Sequence, residues 1–201
     1  MINVFIMAAG DALRCDKKPK QLFMLPDGKT VIGRLIDQIE ERGFNPVIVT
    51  HREDIAAMHE NVFMPINRET LCDSILSTEP VWDYINIFIL GDVVFTGHGI
   101  SEALTNYNTV TVIGNEAEIY GMQFFDLYTN KVKDALKKGA SHGLGKLRYF
   151  YKAYTGLPME GPDVEEKHMV WLRDETNDID SVAEYQNMVA RWSMSANNPR
   201  H

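Results

Sequence analysis

The segment that decides the fold lies at the start of the chain. It has the sequence Asn3-Val4-Phe5-Ile6-Met7-Ala8-Ala9-Gly10-Asp11-Ala12-Leu13-Arg14, and Pro19-Lys20 follows. Residues 4–8 form an apolar run that is typical of a buried strand. Small residues and a glycine end the run, which leaves the backbone amides open to a ligand, and successive amides that point one way bind anions. With the cations Arg14 and Lys20 in the same loop, the segment predicts a nucleoside triphosphate site built on the first strand.

Length and composition favour one globular domain. The chain has 201 residues, of which 45% are hydrophobic and 24% charged, a composition that supports one sizeable core. We expect a single domain over residues 1–193 and a flexible tail over 194–201. The formal net charge of −8 argues against nucleic acid or an anionic membrane as a partner, because both repel an acidic surface.

Cysteine usage and hydropathy indicate where the protein works. Two cysteines, Cys15 and Cys72, do not make a disulfide framework, so we predict free thiols in a reducing compartment. Neither a signal-peptide pattern nor an apolar run of the ~20 residues that a bilayer requires is found in the sequence. We therefore expect a cytoplasmic protein, either a monomer or a homodimer.

Hydrophobic periodicity predicts a three-layer α/β/α sandwich with a Rossmann-like, mostly parallel sheet. Helix 31–42 lies between strands 4–8 and 46–50, which makes a right-handed crossover unit. Further helices are predicted at 52–59, 100–107, 131–138, 144–154 and 181–192, and residues 67–76 are predicted to be a loop that enters a helix. Further strands are predicted at 62–64, 84–90, 109–113, 119–125 and 168–172. The adjacent strands at 109–125 predict an antiparallel or mixed part of the sheet. Ligands of such sheets bind at the carboxyl ends of the strands, where Gly10 and Asp92 both lie.

The first segment also carries a family resemblance. Met7-Ala8-Ala9-Gly10, Arg14 and Pro19-Lys20-Gln21-Leu22 resemble the signature of nucleotidyltransferases with the nucleotide-diphospho-sugar transferase fold, a GT-A-like fold. This family includes the sugar-1-phosphate, phosphocholine, CMP-sugar acid, methylerythritol phosphate and molybdopterin nucleotidyltransferases. Ala12 stands where a second glycine is common. The resemblance implies nucleotide binding by Ala8, Ala9, Gly10, Asp11, Arg14, Lys20 and Gly91.

Two carboxylates are candidate Mg²⁺ ligands. Asp92 follows a buried strand and Gly91, where a carboxylate suits a hard cation or caps the following turn. The sequence Leu90-Gly91-Asp92 resembles the family's metal-binding segment and so favours the metal. Asn177-Asp178-Ile179-Asp180 resembles the family's last metal segment, which implies Asp180 as the second ligand, with Asp178 as the alternative. A capping box explains the neighbouring Ser181 and Glu184.

The resemblance implies a Mg²⁺-dependent reaction between a nucleoside triphosphate and a phosphorylated small molecule. A phosphate monoester oxygen attacks the α-phosphorus and pyrophosphate leaves. The nucleophile is ionised at pH 7, so positioning and charge neutralisation carry the catalysis. Lys20 and Arg14 are the catalytic cations in this interpretation.

Two further groups of residues concern the base and the acceptor. The segment 68–74 resembles the family's base and ribose contact, with Arg68, Thr70, Asp73 and Ser74 as candidates, and an N-capped helix explains the same segment equally well. Similarity to the choline-phosphate and CMP-transferring branches gives a mild preference for CTP or UTP. The acceptor candidates are Gly121, Gln123, Lys146 and Arg148. Tyr151, Tyr154 and Trp171 are candidates for an aromatic wall around a cationic group, although aromatic residues on a helix more often belong to the core.

Two other functions are compatible with the sequence. A glycosyltransferase of the same fold would use a nucleotide sugar, but such enzymes usually show an Asp-x-Asp motif, whereas Val93 and Val94 follow Asp92. A non-catalytic nucleotide-binding module is the other alternative, since Ala12 departs from the family pattern.

Overall fold

The computed structural model describes residues 1–10, 18–105, 109–142, 145–160, 168–179 and 181–196. Its elements follow in chain order: β1 Ile2–Met7, α1 Val31–Glu40, β2 Val47–Val49, α2 Glu53–Ala56, β3 Val62–Phe63, α3 Leu71–Ser77, β4 Ile85–Leu90, β5 Val93–Val94, α4 Gly97–Leu104, β6 Thr111–Gly114, β7 Ile119–Phe125, α5 Thr129–Ala140, α6 Leu147–Thr155, β8 Met169–Trp171, β9 Asn177–Asp178 and α7 Val182–Ala196.

Seven strands form the main sheet, in the order β3-β2-β1-β4-β7-β6-β8. β7 runs antiparallel to β4 and β6, while the pairs β3–β2, β2–β1, β1–β4 and β6–β8 are parallel. The predicted mostly parallel sheet with a mixed part is thus confirmed. In consequence, six strands end at the same edge of the sheet, and β7 begins there.

Helices cover both faces of the sheet, so the central strands carry mostly apolar side chains on both faces. Val4 and Ile6 of β1 pack in one core with α1 and α4. Phe5 and Met7 point the other way, into a second core with α3, α5 and α6. The Phe5 ring stacks on Phe88 of β4 with the ring centroids 4.7 Å apart. The predicted three layers follow from this alternation of side chains.

Helix ends differ from the predictions by a few residues, with local causes. α4 begins at Gly97 because the Thr96 hydroxyl accepts a hydrogen bond from the Gly99 amide, a cap that hydrophobic periodicity does not register. α7 continues to Ala196, so the predicted boundary at residue 193 falls inside a helix. The ribbon of β5 and β9 was not predicted, because two-residue strands carry no periodic signal.

Two smaller predictions concern thiols and membranes. Cys72 is a free, buried thiol, as predicted, and burial raises its pKa to about 12, so it is not a reactive nucleophile. Cys15 lies outside the described residues. Among the described helices, none has the length and apolarity needed to cross a bilayer.

A glycine on β7 gives a test of the sheet. A Cβ atom at Gly121 would lie 2.6 Å from the Phe88 carbonyl oxygen of β4, and that backbone is fixed by its neighbours in the sheet. We expect Gly121→Ala to lower the free energy of unfolding by about 1–3 kcal/mol, measured by urea denaturation. Gly97→Ala is the matched control, since a Cβ there meets no atom within 4 Å. Equal stability of the two variants would contradict the tight β4–β7 approach.

Candidate functional site

The carboxyl edge of the sheet brings the two strongest sequence motifs together. β1 and β4 are parallel neighbours with six paired residues, ending at Met7 opposite Leu90. The loop that begins at Ala8 and the loop that begins at Gly91 therefore start side by side. The predicted convergence of Gly10 and Asp92 on one edge follows from this register.

The backbone at Ala8 is fixed from two sides. Its amide donates to the Val49 carbonyl at 2.9 Å, and its carbonyl accepts a hydrogen bond from the Thr50 hydroxyl at 3.0 Å. Gly10, two residues on, is exposed, and a Cβ atom there would meet no atom of the described residues within 4 Å. The fixed strand end thus leads to an exposed glycine, a suitable place for a ligand to approach backbone amides.

Gly91 has a structural reason of its own. Its amide donates to the Met7 carbonyl at 2.9 Å. A Cβ atom at Gly91 would lie 3.1 Å from that same carbonyl oxygen and 3.1 Å from Cγ2 of Ile6. Because Gly91 has no side chain, the end of β4 can lie close to β1. This close approach places Asp92 beside the start of the first loop.

Lys20 and Asp92 form an ion pair at this edge. The Lys20 Nζ lies 3.6 Å from Oδ2 of Asp92, and the two side chains are only 13% and 26% exposed. Lys20 opens a short 3-10 helix, Lys20–Leu22, in which the Leu22 amide donates to the carbonyl of the buried Pro19 at 2.9 Å. The predicted catalytic lysine and the predicted metal ligand are thus neighbours in space, although 72 positions separate them in the sequence (92 − 20).

The second acidic segment is attached directly to Asp92. The Ile179 amide donates to the Asp92 carbonyl at 3.3 Å, and Asp178 pairs with Val93 in the β5–β9 ribbon. The segment that precedes residue 180 is therefore held beside Asp92. Asp180, like Asp11, Ala12 and Arg14, lies outside the described residues.

Asp92 offers a carboxylate of the kind that Mg²⁺ takes as a ligand. Within the described ranges no three metal-ligating side chains converge, so a dedicated protein cage is not formed by those residues. Mg²⁺ in phosphate chemistry commonly takes one or two carboxylates and completes its shell with substrate oxygens and water. The Lys20 ammonium beside Asp92 shows that this position accepts a positive charge.

The segment predicted to contact the base forms the N-terminus of α3. The Thr70 hydroxyl accepts a hydrogen bond from the Asp73 amide at 3.1 Å, and the Asp73 carboxylate accepts one from the Thr70 amide at 3.1 Å. Ser74 is buried and its hydroxyl donates to the Thr70 carbonyl. The capping interpretation is confirmed, and base recognition stays a prediction. Arg68 lies apart from the cap and donates to Nε2 of His51 at 3.2 Å.

The predicted acceptor residues do not line a common site. Gly121 and Gln123 are buried within the sheet, and the Gln123 Nε2 donates to the Thr105 carbonyl at 2.8 Å. Both positions therefore contribute to the core of the sheet, and their role as acceptor contacts stays a prediction. Lys146 forms an ion pair with Glu118 at 3.2 Å, and Arg148 donates to the Ala117 carbonyl, so these two side chains contact the turn between β6 and β7.

For the two aromatic residues on α6, the structure supports the core interpretation. Tyr151 and Tyr154 are 1% and 7% exposed, and they belong to the core beneath α6. Helical spacing placed them correctly on a helix but did not reveal which face they occupy. Trp171 is half-buried at the end of β8 and lines a cavity of about 450 Å³.

A further cavity, of about 720 Å³, is lined by Val94 of β5, the strand that directly follows Asp92. It is bounded by the segment after β5, by residues 174–177 and by α7. Its polar lining consists of Arg34, Thr96, Asn115, Asp174, Glu175, Thr176, Asn177, Glu184, Asn187 and Arg191. This cavity was not predicted from the sequence. The one feature of the sequence that indicates it is the position of Asn115 and Asp174, two polar residues that follow the carboxyl ends of β6 and β8.

The two cavities share a wall that includes Asn115 and Asp174. This wall is charged and held in place by hydrogen bonds. Burial raises the pKa of Asp174, but hydrogen bonds from the Thr96 hydroxyl and from Thr176 outweigh that effect, so its pKa is lowered and the carboxylate is ionised at neutral pH. Asn115 donates to the Tyr120 hydroxyl at 2.6 Å, and that hydroxyl donates to Asn177 at 3.1 Å. The cavity wall is therefore a fixed acidic and amide-rich surface.

Comparison with solved structures places the fold among nucleotidyltransferases. A nucleotidyl transferase from Methanothermobacter superposes with a TM-score of 0.67 at 16% identity, covering 97% of this chain and 99% of that one. CTP:phosphocholine cytidylyltransferase from Streptococcus pneumoniae superposes with a TM-score of 0.61 at 16% identity, covering 95% of this chain and 99% of that one. The inositol-1-phosphate CTP transferase from T. maritima superposes with a TM-score of 0.62 at 13% identity, covering 94% of this chain and 95% of that one. The predicted fold is confirmed. No family model and no curated protein matches the chain.

The Thr70 cap yields a prediction about the stability of the fold. Thr70→Ala removes the acceptor for the Asp73 amide, so we expect a loss of about 1 kcal/mol in the free energy of unfolding. Thr70→Ser keeps the hydroxyl and is the matched control. Chemical denaturation measures both. An alanine variant as stable as the serine variant would contradict the role of the cap.

Proposed function

We propose that the protein is a Mg²⁺-dependent nucleotidyltransferase, which transfers a nucleoside monophosphate from a nucleoside triphosphate to a phosphorylated small molecule. The observation that carries the proposal is the Lys20–Asp92 pair beside the open turn at Gly10. A cation, a carboxylate and accessible amides at one sheet edge are the groups that triphosphate chemistry requires. The overall fold, shared with several nucleotidyltransferases, supports the same reaction class.

The triphosphate is proposed to lie on the first loop. The amides of Ala9 and Gly10 are proposed to face the phosphates, while the Ala8 amide stays bonded to the Val49 carbonyl. Among the described residues no atom lies within 4 Å of a Cβ built at Gly10, and Lys20 pairs with Asp92 at the same edge of the sheet. Arg14 and Asp11 are proposed to complete the binding site for the triphosphate. The base and ribose then extend toward the ends of β2 and β3, where Arg68 lies beside His51.

Charge neutralisation comes from the chain and from the metal. Asp92 and Asp180 are the proposed ligands of Mg²⁺, which supplies charge neutralisation for the phosphates when it is bound. The Lys20 ammonium interacts with the triphosphate and stabilises the negative charge that develops on the leaving group. The nearly buried setting of Lys20 strengthens that interaction, since water screens it less.

The transfer itself is an in-line displacement. A phosphate oxygen of the acceptor forms a bond to the α-phosphorus, the bond from that phosphorus to the bridging oxygen breaks, and pyrophosphate leaves with the electron pair. The nucleophile is already ionised at neutral pH, so no side chain has to remove a proton. The protein contributes alignment of the two reactants and fixed charges around the phosphorus.

The acceptor is proposed to occupy the 720 Å³ cavity beyond Asp92. Asp92 immediately precedes β5, whose Val94 lines that cavity, so a phosphate near Asp92 leaves the rest of the acceptor in the cavity. The ionised Asp174 and the amides of Asn115 and Asn177 are suited to hydroxyl or amine groups. Two of the compared proteins are named for CTP, which supports the mild preference for CTP or UTP.

Pyrophosphate release tests this function. We expect release with Mg²⁺, one pyrimidine triphosphate and one member of a panel of phosphorylated sugars, polyols and amino alcohols. Asp92→Asn and Lys20→Ala should each lower kcat/KM by about 10²–10³-fold. Lys133→Ala and Glu79→Gln, which break a surface ion pair elsewhere, should leave it unchanged. Wild-type turnover in either site variant contradicts the mechanism, and nucleotide binding without release across the panel indicates a binding module.

Gly10 offers a test of the phosphate loop that does not disturb the fold. A Cβ atom at this position meets nothing within 4 Å of the described protein, so Gly10→Ala should keep the wild-type melting temperature. The added methyl group covers the amides that are proposed to face the phosphates. We expect the Kd for the nucleoside triphosphate to rise by about tenfold, equivalent to about 1.4 kcal/mol, in calorimetric titration. An unchanged Kd would remove Gly10 from the phosphate site.

A further inference from the structure

The ion pair between Lys20 and Asp92 joins two residues that the proposed function assigns to different partners. Lys20 is assigned to the triphosphate and Asp92 to the metal, yet the ammonium lies 3.6 Å from the carboxylate. A divalent cation that approaches Asp92 therefore meets a positive charge already placed there. Because the two side chains are only 13% and 26% exposed, water screens this charge weakly.

We propose that Lys20 acts as an internal cation that occupies the metal position at Asp92 until a nucleotide arrives. This inference rests on the proposed function. In the free protein Lys20 neutralises Asp92 and competes with metal ions for it. The triphosphate offers Lys20 a more highly charged partner, and its transfer to the phosphates frees the carboxylate. Metal and nucleotide then bind cooperatively, and metal alone binds weakly.

The local backbone suits such an exchange of partners. The amide of Phe23 donates to the Lys20 carbonyl at 3.0 Å, and Gln21, next in the chain, is buried. Asp92 is held from the other side by the Ile179 amide on its carbonyl. Both backbones are therefore anchored, and only the long, flexible lysine side chain has to turn. The exchange requires no movement of the sheet.

The exchange has a signature that a merely structural ion pair lacks. If Lys20 competes with the metal, replacing it with a neutral residue raises metal affinity in the absence of nucleotide. The same replacement lowers nucleotide affinity, because the phosphates lose a cation. Linkage then requires that the mutual enhancement between metal and nucleotide also falls. Opposite effects of one substitution on two ligands are the expected result.

Mn²⁺ binding measured by electron paramagnetic resonance, without nucleotide, tests this directly. We expect Lys20→Met and Lys20→Gln to bind Mn²⁺ about tenfold more tightly than the wild-type chain. Lys20→Arg keeps the charge and should bind it as weakly as the wild type. Asp92→Asn combined with Lys20→Met should abolish the gain, and Lys133→Met is the remote control. Thermal denaturation verifies that each variant is folded.

Two outcomes would overturn the inference. One is Mn²⁺ affinity in the folded Lys20→Met and Lys20→Gln variants that equals or falls below the wild-type affinity. The other is a gain that persists when Asp92 is replaced. Either result alongside normal pyrophosphate release would leave the proposed function intact. Tighter Mn²⁺ binding in the two variants, with no pyrophosphate release from the wild type, would support the exchange and contradict the transfer reaction.

Discussion

The parallel pairing of β1 with β4 is the constraint on which the rest of the site depends. Six residues of each strand are in register, and Gly91 allows the end of β4 to approach the Met7 carbonyl to within hydrogen-bonding distance. A Cβ atom at Gly91 would lie 3.1 Å from the Met7 carbonyl oxygen, so a side chain there would require the end of β1 to shift by a few tenths of an ångström. Because Ala8 and Asp92 leave the sheet beside each other, the loop that follows β1 and the loop that carries the Asp92 carboxylate share one edge. The Lys20 ammonium lies at this edge too, 3.6 Å from the Asp92 carboxylate.

The same edge divides into two halves at Asp92. On one side lie the ends of β1, β2 and β3, with the open turn at Gly10. On the other side lie the ends of β6 and β8, with a cavity whose wall is fixed by hydrogen bonds from Asn115 to Tyr120 and from Tyr120 to Asn177. A reaction between two phosphorylated molecules needs two adjoining sites with the charged groups at their boundary. The antiparallel strand β7, inserted between β4 and β6, supplies the width that separates the two halves.

The sequence was informative where a physical signal is local and strong. The apolar strands 4–8 and 84–90, and the glycines that follow them, predicted the central sheet and the meeting of Gly10 with Asp92. The acceptor side was not predictable in the same way. Gln123 is a polar residue in a strand, and only the three-dimensional structure shows that its amide serves the Thr105 carbonyl inside the core. The cavity beyond Asp92 is built from single residues of several loops and from one face of α7. Such a surface has no periodicity, so the pattern of the sequence does not reveal it.

The overall charge of the chain bears on how its substrates reach the site. With a formal net charge of −8, the protein repels a free nucleoside triphosphate at long range. A triphosphate that carries a divalent cation has less negative charge and is repelled less. Under the proposed function, the amides of Ala9 and Gly10 and the Lys20 ammonium then act at short range, and the low exposure of Lys20 strengthens its contribution. Under the proposed function, an acidic protein with the nearly buried Lys20 at this edge of the sheet is thus better suited to a metal–nucleotide complex than to either component alone. Asp92, paired with Lys20 in the free chain, would become available as that complex enters.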